Sequence, residues 1–194
     1  SNAIAVNAPF TSDDATRLAI NSHQPTTGPV AWYEAHIQSE EGLNIMGGLF
    51  PSSPTIGVGF NENLAWGATV NKPDLVDIFA LTTNAKEPDK YLLDGRWLSF
   101  REKTIKLKVK LFGFLPWKVK RKALYTEHGP AIETPHGIYA IRYAGMGEIK
   151  QIEQWLAMNK ATNFEEWLAA LAQHTFASFN FVYSDKDGNI AFIH

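Results

Sequence analysis

Apolar and polar positions along this chain alternate with period two far more often than they recur at helical spacing. Asn2–Ala8 (NAIAVNA), Arg17–Asn21 (RLAIN) and Trp32–Gln38 (WYEAHIQ) are short runs rich in β-branched and aromatic residues, bounded by Pro, Gly, Ser and Asp. Each reads as a strand, because such side chains pack well on a pleated, half-buried surface. The pattern continues through 43–48, 55–60, 64–70 and 75–81, so the first 81 residues predict about seven strands and no helix.

The strictest alternation lies at 104–111, TIKLKVKL. It puts Ile105, Leu107, Val109 and Leu111 on one face and Lys106, Lys108 and Lys110 on the other. After a turn at 112–116, a second basic strand returns at 117–124. A solvated strand face is the reading preferred for these lysines over a nucleic-acid or lipid surface, since edge strands carry Lys against aggregation.

Two helical segments follow. Residues 148–159 place Ile149, Ile152, Trp155 and Leu156 on one stripe, and residues 162–173 repeat the spacing with Phe164, Trp167, Leu168 and Leu171. Thr162 and Glu165 have the spacing of a capping box. A hairpin at 178–184 and 189–193, closed by Asp187-Gly188, ends the chain. Stopping inside a strand at His194 suggests a piece of a longer protein, because a broken strand leaves backbone groups unpaired. No domain boundary is evident, and residues 1–194 are expected to form one domain.

Composition narrows the chemistry. Eighteen Lys and Arg against twenty Asp and Glu give a formal net charge of −2, which supplies no global field for nucleic acid or a membrane, and neither partner is expected. With no cysteine, thiolate nucleophiles, disulfides and thiolate metal sites are excluded. No apolar run is long enough to span a bilayer.

Specific motifs then carry the reading: SNAIAV at the start, NSHQP at 21–25, GPVAWYEAHI at 28–37, GLFPSSPTIGVGFNENLAWGATV at 48–70 and DLVDIFAL at 74–81. DGRW at 94–97, HGP at 128–130 and WLAMNKATNFEEW at 155–167 join them in the same order. Together they resemble the opening of the β-subunit in the penicillin acylase family, whose members are N-terminal-nucleophile hydrolases, and most closely its acyl-homoserine lactone acylase branch.

That resemblance implies an α+β fold, the four-layer αββα sandwich. It also implies a precursor cut immediately before a serine, so that Ser1 is the nucleophile and its own α-amine the base. The chemistry is sound in itself. A serine hydroxyl is a weak nucleophile until a base takes its proton, and an α-amine with a pKa near 8 is poised to do so. Ser-Asn-Ala is also the remnant of a cleaved affinity tag, in which case the chain would be a non-catalytic β-rich binding module or an inert fragment. The continuation Ile4-Ala5-Val6 and the distance to His23-Gln24 weigh for a native terminus.

By the same resemblance, Val70 supplies a backbone N–H to the oxyanion hole, and the second donor is an asparagine beyond residue 194. His23 lies where the lactone acylases carry a histidine that contacts the nucleophile's amine and where penicillin G acylases have proline. Gln24, Phe50, Thr69 and Phe179 are implied around an acyl pocket. Asp74, the Val76 carbonyl and Asp77 match a pattern that holds a structural calcium, and oxygen donors suit that hard cation. No organic cofactor is implied. The expected partners are an N-acylated small molecule and an α-subunit from the same precursor, in a periplasmic or secreted setting, with this piece inactive by itself.

Overall fold

The computed structural model describes every residue, Ser1–His194. In chain order the first strands are β1 (Asn2–Val6), β2 (Arg17–Asn21), β3 (Tyr33–Ser39), β4 (Leu43–Leu49), β5 (Val58–Phe60) and β6 (Leu64–Thr69). Next come β7 (Val76–Leu81), β8 (Lys90–Leu93), β9 (Arg96–Ser99), β10 (Arg101–Leu111), β11 (Leu115–Tyr125), β12 (Pro130–Thr134) and β13 (Gly137–Tyr143). Helices α1 (Gln151–Lys160) and α2 (Phe164–Leu171) precede β14 (Asn180–Asp185) and β15 (Ile190–Ile193). The chain divides into two compact units, one of residues 1–73 with 147–194 and the other of residues 74–146.

The first unit is built on a six-stranded antiparallel sheet ordered β15-β14-β6-β5-β4-β3. Leu43, Ile45 and Leu49 of β4, Leu64 and Trp66 of β6, and Phe181 and Tyr183 of β14 point to one face. There they form a core with Met158, Trp167 and Ala170 of the helices. Trp66 and Trp167 are fully buried, with ring centroids 6.3 Å apart. The neighbour of Trp66 on β6 is Gly67, which the pleat turns to the opposite face. There β1 and β2 lie against the sheet as a two-stranded hairpin, and a Cβ on Gly67 would come within 2.8 Å of Ile20 Cγ1 and 3.3 Å of Ala3 Cβ. Helices, sheet and hairpin make three layers. A second helical layer, the fourth of the expected sandwich, is not formed by these residues.

Both helices correct the sequence reading. Of the stripe Ile149, Ile152, Trp155 and Leu156, only Trp155 packs against the core: the other three are exposed, and α1 buries Gln154, Met158 and Asn159 instead. The two polar side chains go inside because each is fully used. Asn159 Nδ2 donates to the Ile56 carbonyl while its Oδ1 accepts from the Ile56 N–H, both at 2.9 Å. Gln154 Oε1 accepts from the Thr175 N–H at 2.8 Å, and its Nε2 donates to the Leu171 carbonyl at 3.1 Å. Helix α2 starts one residue later than its expected capping box. Asn163 is the cap, accepting from the Glu166 N–H at 2.9 Å, and the Glu166 carboxylate reaches back to the Thr162 N–H at 2.8 Å.

The second unit holds a five-stranded antiparallel sheet, β10-β11-β12-β13-β7, and the separate hairpin β8-β9. Strands β10 and β11 pair over eleven residues each, whereas β11 pairs with β12 only through Leu124 and Tyr125. The long hairpin therefore runs out from the sheet with both faces exposed, its apolar alternation included.

Candidate functional site

The antiparallel register of β1 and β2 pairs Asn2 with Asn21, so its continuation sets Ser1 beside Ser22 at the open end of the hairpin. The His23 backbone N–H donates to Ser1 Oγ at 3.2 Å. The layer arrangement then fixes where that hydroxyl lies. With Gly67 admitting the hairpin against β6, Ser1 comes to the end of β6, beside Ala68, Thr69 and Val70, at the rim of a cavity of about 400 Å³.

Ser1, Gln24, Phe50, Thr69, Val70 and Phe179, all expected from the sequence, line this one cavity. Its walls also include Ser22, Trp32, Thr55, Trp155 and Phe176, which sequence reasoning did not assign to a site. Trp32 stacks on Phe50 with ring centroids 4.5 Å apart and planes within 5°. Trp155 packs on Phe176 at 4.5 Å and meets Phe179 edge-on at 6.1 Å. Ser22 had a signal in the hairpin register. Trp155, whose helical stripe marks it as core, packs against the core beside Phe181 and lines the cavity as well.

The clamp of Asn159 on Ile56 acts on this wall, since Thr55 and Gly57 flank Ile56 and both line the cavity. Trp66 Nε1 donates to the Gly57 carbonyl at 3.0 Å and holds the same segment one residue further along.

His23 is placed differently from the pocket residues. It reaches Ser1 Oγ through its backbone, while its exposed imidazole Nε2 lies 3.4 Å from Asn21 Nδ2 and does not line the cavity. Beside Val70, Asn180 Nδ2 donates to the Val70 carbonyl at 3.3 Å, and Asn180 Oδ1 lies 2.9 Å from His194 Nδ1.

Asp74 and Asp77 belong to the second unit, where they line a polar cleft with Glu127, His128 and Arg142. Arg142 stands opposite Asp77 in the β13–β7 ladder. No group of three or more His, Cys, Asp or Glu side chains converges to hold an ion. Two carboxylates and the Val76 carbonyl fall short of the roughly six to eight oxygens that calcium takes. These residues do not by themselves make a calcium shell.

Comparison with known proteins identifies the family. The chain is 31% identical over 173 residues to an acyl-homoserine lactone acylase PvdQ of Pseudomonas fluorescens, covering 86% of this chain and 22% of that protein. It is 31% identical to penicillin G acylase of Escherichia coli over 94% of this chain and 22% of that enzyme. The chain thus spans about a fifth of the length of these relatives. The solved structure of a thermostable penicillin G acylase from Alcaligenes faecalis superposes on 99% of this chain and 34% of its own with a TM-score of 0.86 at 25% identity. The sequence profile of the penicillin amidase family matches residues 1–194 throughout, and the chain belongs to that family.

Proposed function

We propose that this chain carries the nucleophile and most of the acyl-binding wall of an amide hydrolase acting on N-acylated small molecules. The observation that carries the reading is the opening of the Ser1 hydroxyl, held by the His23 N–H, into a largely apolar cavity. In the proposed reaction Ser1 Oγ bonds to the substrate carbonyl carbon and the Ser1 α-amine takes the hydroxyl proton. The Val70 N–H stabilises the oxyanion as it forms, a contribution of about 3 kcal/mol for one such donor. Collapse breaks the C–N bond and passes the proton to the leaving amine. Water then attacks the ester on Ser1 and frees the acid.

The walls of Trp32, Phe50, Trp155, Phe176 and Phe179 favour a fatty or aromatic acyl group, whose burial contributes about 0.8 kcal/mol per methylene. Relatives named for acyl-homoserine lactones and for penicillin G fit that class. The second oxyanion donor, the fourth layer of the sandwich and an α-subunit cut from the same precursor belong, in this reading, to the rest of the enzyme, which works in the periplasm or outside the cell. A calcium ion on Asp74, Val76 and Asp77 would draw its other ligands from there. The scheme uses no organic cofactor.

The test is to treat the complete processed enzyme with a serine-directed acylating reagent and locate the adduct by mass spectrometry. Labelling at Ser1 is expected, and labelling elsewhere overturns the assignment. Blocking the α-amine by acetylation should abolish turnover without unfolding the protein; undiminished activity would mean another base. Comparing decanoyl-homoserine lactone with penicillin G places the substrate, and preference for the lactone is expected.

A further inference from the structure

The β10–β11 hairpin, Arg101–Tyr125, holds nine of the chain's eighteen Lys and Arg residues and one of its twenty Asp and Glu. Its formal charge is +8, against −10 for the other 169 residues. The single acid, Glu102, is at the base of the hairpin and already pairs with Lys122 at 2.8 Å.

The register sorts the side chains by face. Lys106 stands directly opposite Lys120, and Lys108 opposite Lys118. Like charges directly across a ladder repel, and with Glu102 engaged no acid of the hairpin relieves them. The other face pairs Leu107 with Val119, Val109 with Trp117 and Leu111 with Leu115, all apolar. Exposure is greatest at the turn, where Phe112 is 87% and Phe114 78% exposed. Phe112 (φ 53°) and Gly113 (φ 80°) adopt left-handed backbone there. An aromatic residue held in that conformation in open solvent contributes nothing to the turn that Asn or Gly would not.

We propose that this hairpin is a peripheral anchor for an anionic lipid surface, entering it tip first. Lys110 is two residues behind Phe112 and Lys118 four behind Phe114, or about 7 and 14 Å at about 3.4 Å per residue. With Phe112, Phe114 and Leu115 sunk to the boundary of the acyl region, roughly 5–10 Å deep, these lysines reach the level of the headgroups. The anionic headgroups cancel the Lys–Lys repulsion, and the apolar phase takes the aromatic tip. A polyanion such as nucleic acid would satisfy only the lysines. The lysine face is thus more than the solvated surface its alternation suggests.

The experiment is flotation of the complete protein with vesicles of phosphatidylcholine alone or with phosphatidylglycerol added. Binding is expected only to the anionic vesicles and should weaken as salt rises. A variant with F112S and F114S and another with K108A, K118A and K120A should each lower it at least tenfold. All five positions are exposed, so thermal melting should be unchanged. Failure to float with anionic vesicles overturns the proposal, and so does binding indifferent to both variants. Loss on lysine replacement alone, with equal affinity for single-stranded DNA, would mean a polyanion site instead. Hydroxyl-radical labelling of the Phe112 and Phe114 side chains in the complete protein supplies the last check. Protection of both rings without vesicles would mean that polypeptide covers the tip, and would overturn the anchor.

Discussion

Asn159 and Tyr183 show how single buried groups hold the site's scaffold. Replacing Asn159 by alanine strands the N–H and carbonyl of Ile56 inside the protein. At about 1–3 kcal/mol for each of the two stranded groups, a loss of roughly 2–6 kcal/mol is expected in chemical denaturation, together with a raised KM as the Thr55–Gly57 wall loosens. Burial raises the pKa of the Tyr183 phenol from its ordinary value, and its bond to Asp185 at 3.0 Å adds to the shift. A raised acid contributes stability that is complete below its unfolded pKa, about 10. That contribution falls as pH rises further. Melting temperature should therefore drop from about pH 10 upward, and Tyr183→Phe should flatten the drop. Neither residue carried a sequence signal. Asn159 lies in a helix whose hydrophobic spacing suggested another face, and only the fold brings Ile56, 103 residues away in sequence, to its side chain.

Among elements, the contact of the β1–β2 hairpin with β6 sets the position of Ser1. Gly67→Ala would press a methyl against Ile20, with an overpacking cost of about 1–3 kcal/mol. Displacement of Ser1 should slow acylation by about ten- to a hundredfold, read from single-turnover kinetics. The cap of α2 gives a pH test. Hydrogen bonds from the Thr162 backbone and hydroxyl lower the Glu166 carboxyl below its usual range. Its contribution is present at neutral pH and is lost as pH falls through the lowered value. The melting difference between the native protein and Glu166→Gln should therefore shrink as pH is taken from 6 to 3.

Strands with strong period-two patterning, such as β2 and β10, were legible because alternation and β-branching agree there. The β8–β9 hairpin announced its turn, Asp94-Gly95, but four-residue strands are too short to show a period. Strands β12 and β13 also escaped, since PAIET and GIYAIRY carry turn residues and little alternation. Of the cavity, the parts contributed by local motifs were legible, from Ser1 through Gln24 and Phe50 to Val70. Trp32 and Phe176 were not, because an aromatic in core and one at a cavity wall look alike in sequence.

On the scale of the whole molecule, protection from exchange should follow the layering. Amides of the central strands β4, β6 and β14, packed against Trp167 and Met158, should exchange most slowly. Those of β10 and the outer half of β11 should exchange much faster in the absence of a binding surface, having a partner on one side only and both faces exposed. Hydrogen-exchange mass spectrometry checks both ends of the range.

Position 23 carries a consequence for how this family varies. The group that holds the Ser1 hydroxyl there is a main-chain N–H, so nineteen amino acids can supply it and the imidazole is free to change. Proline alone cannot, lacking the hydrogen. A lineage that exchanged His23 for proline would need a neighbouring residue to donate in its place. Divergence at this point would therefore rewire the backbone beneath the nucleophile, not merely swap the side chain beside it.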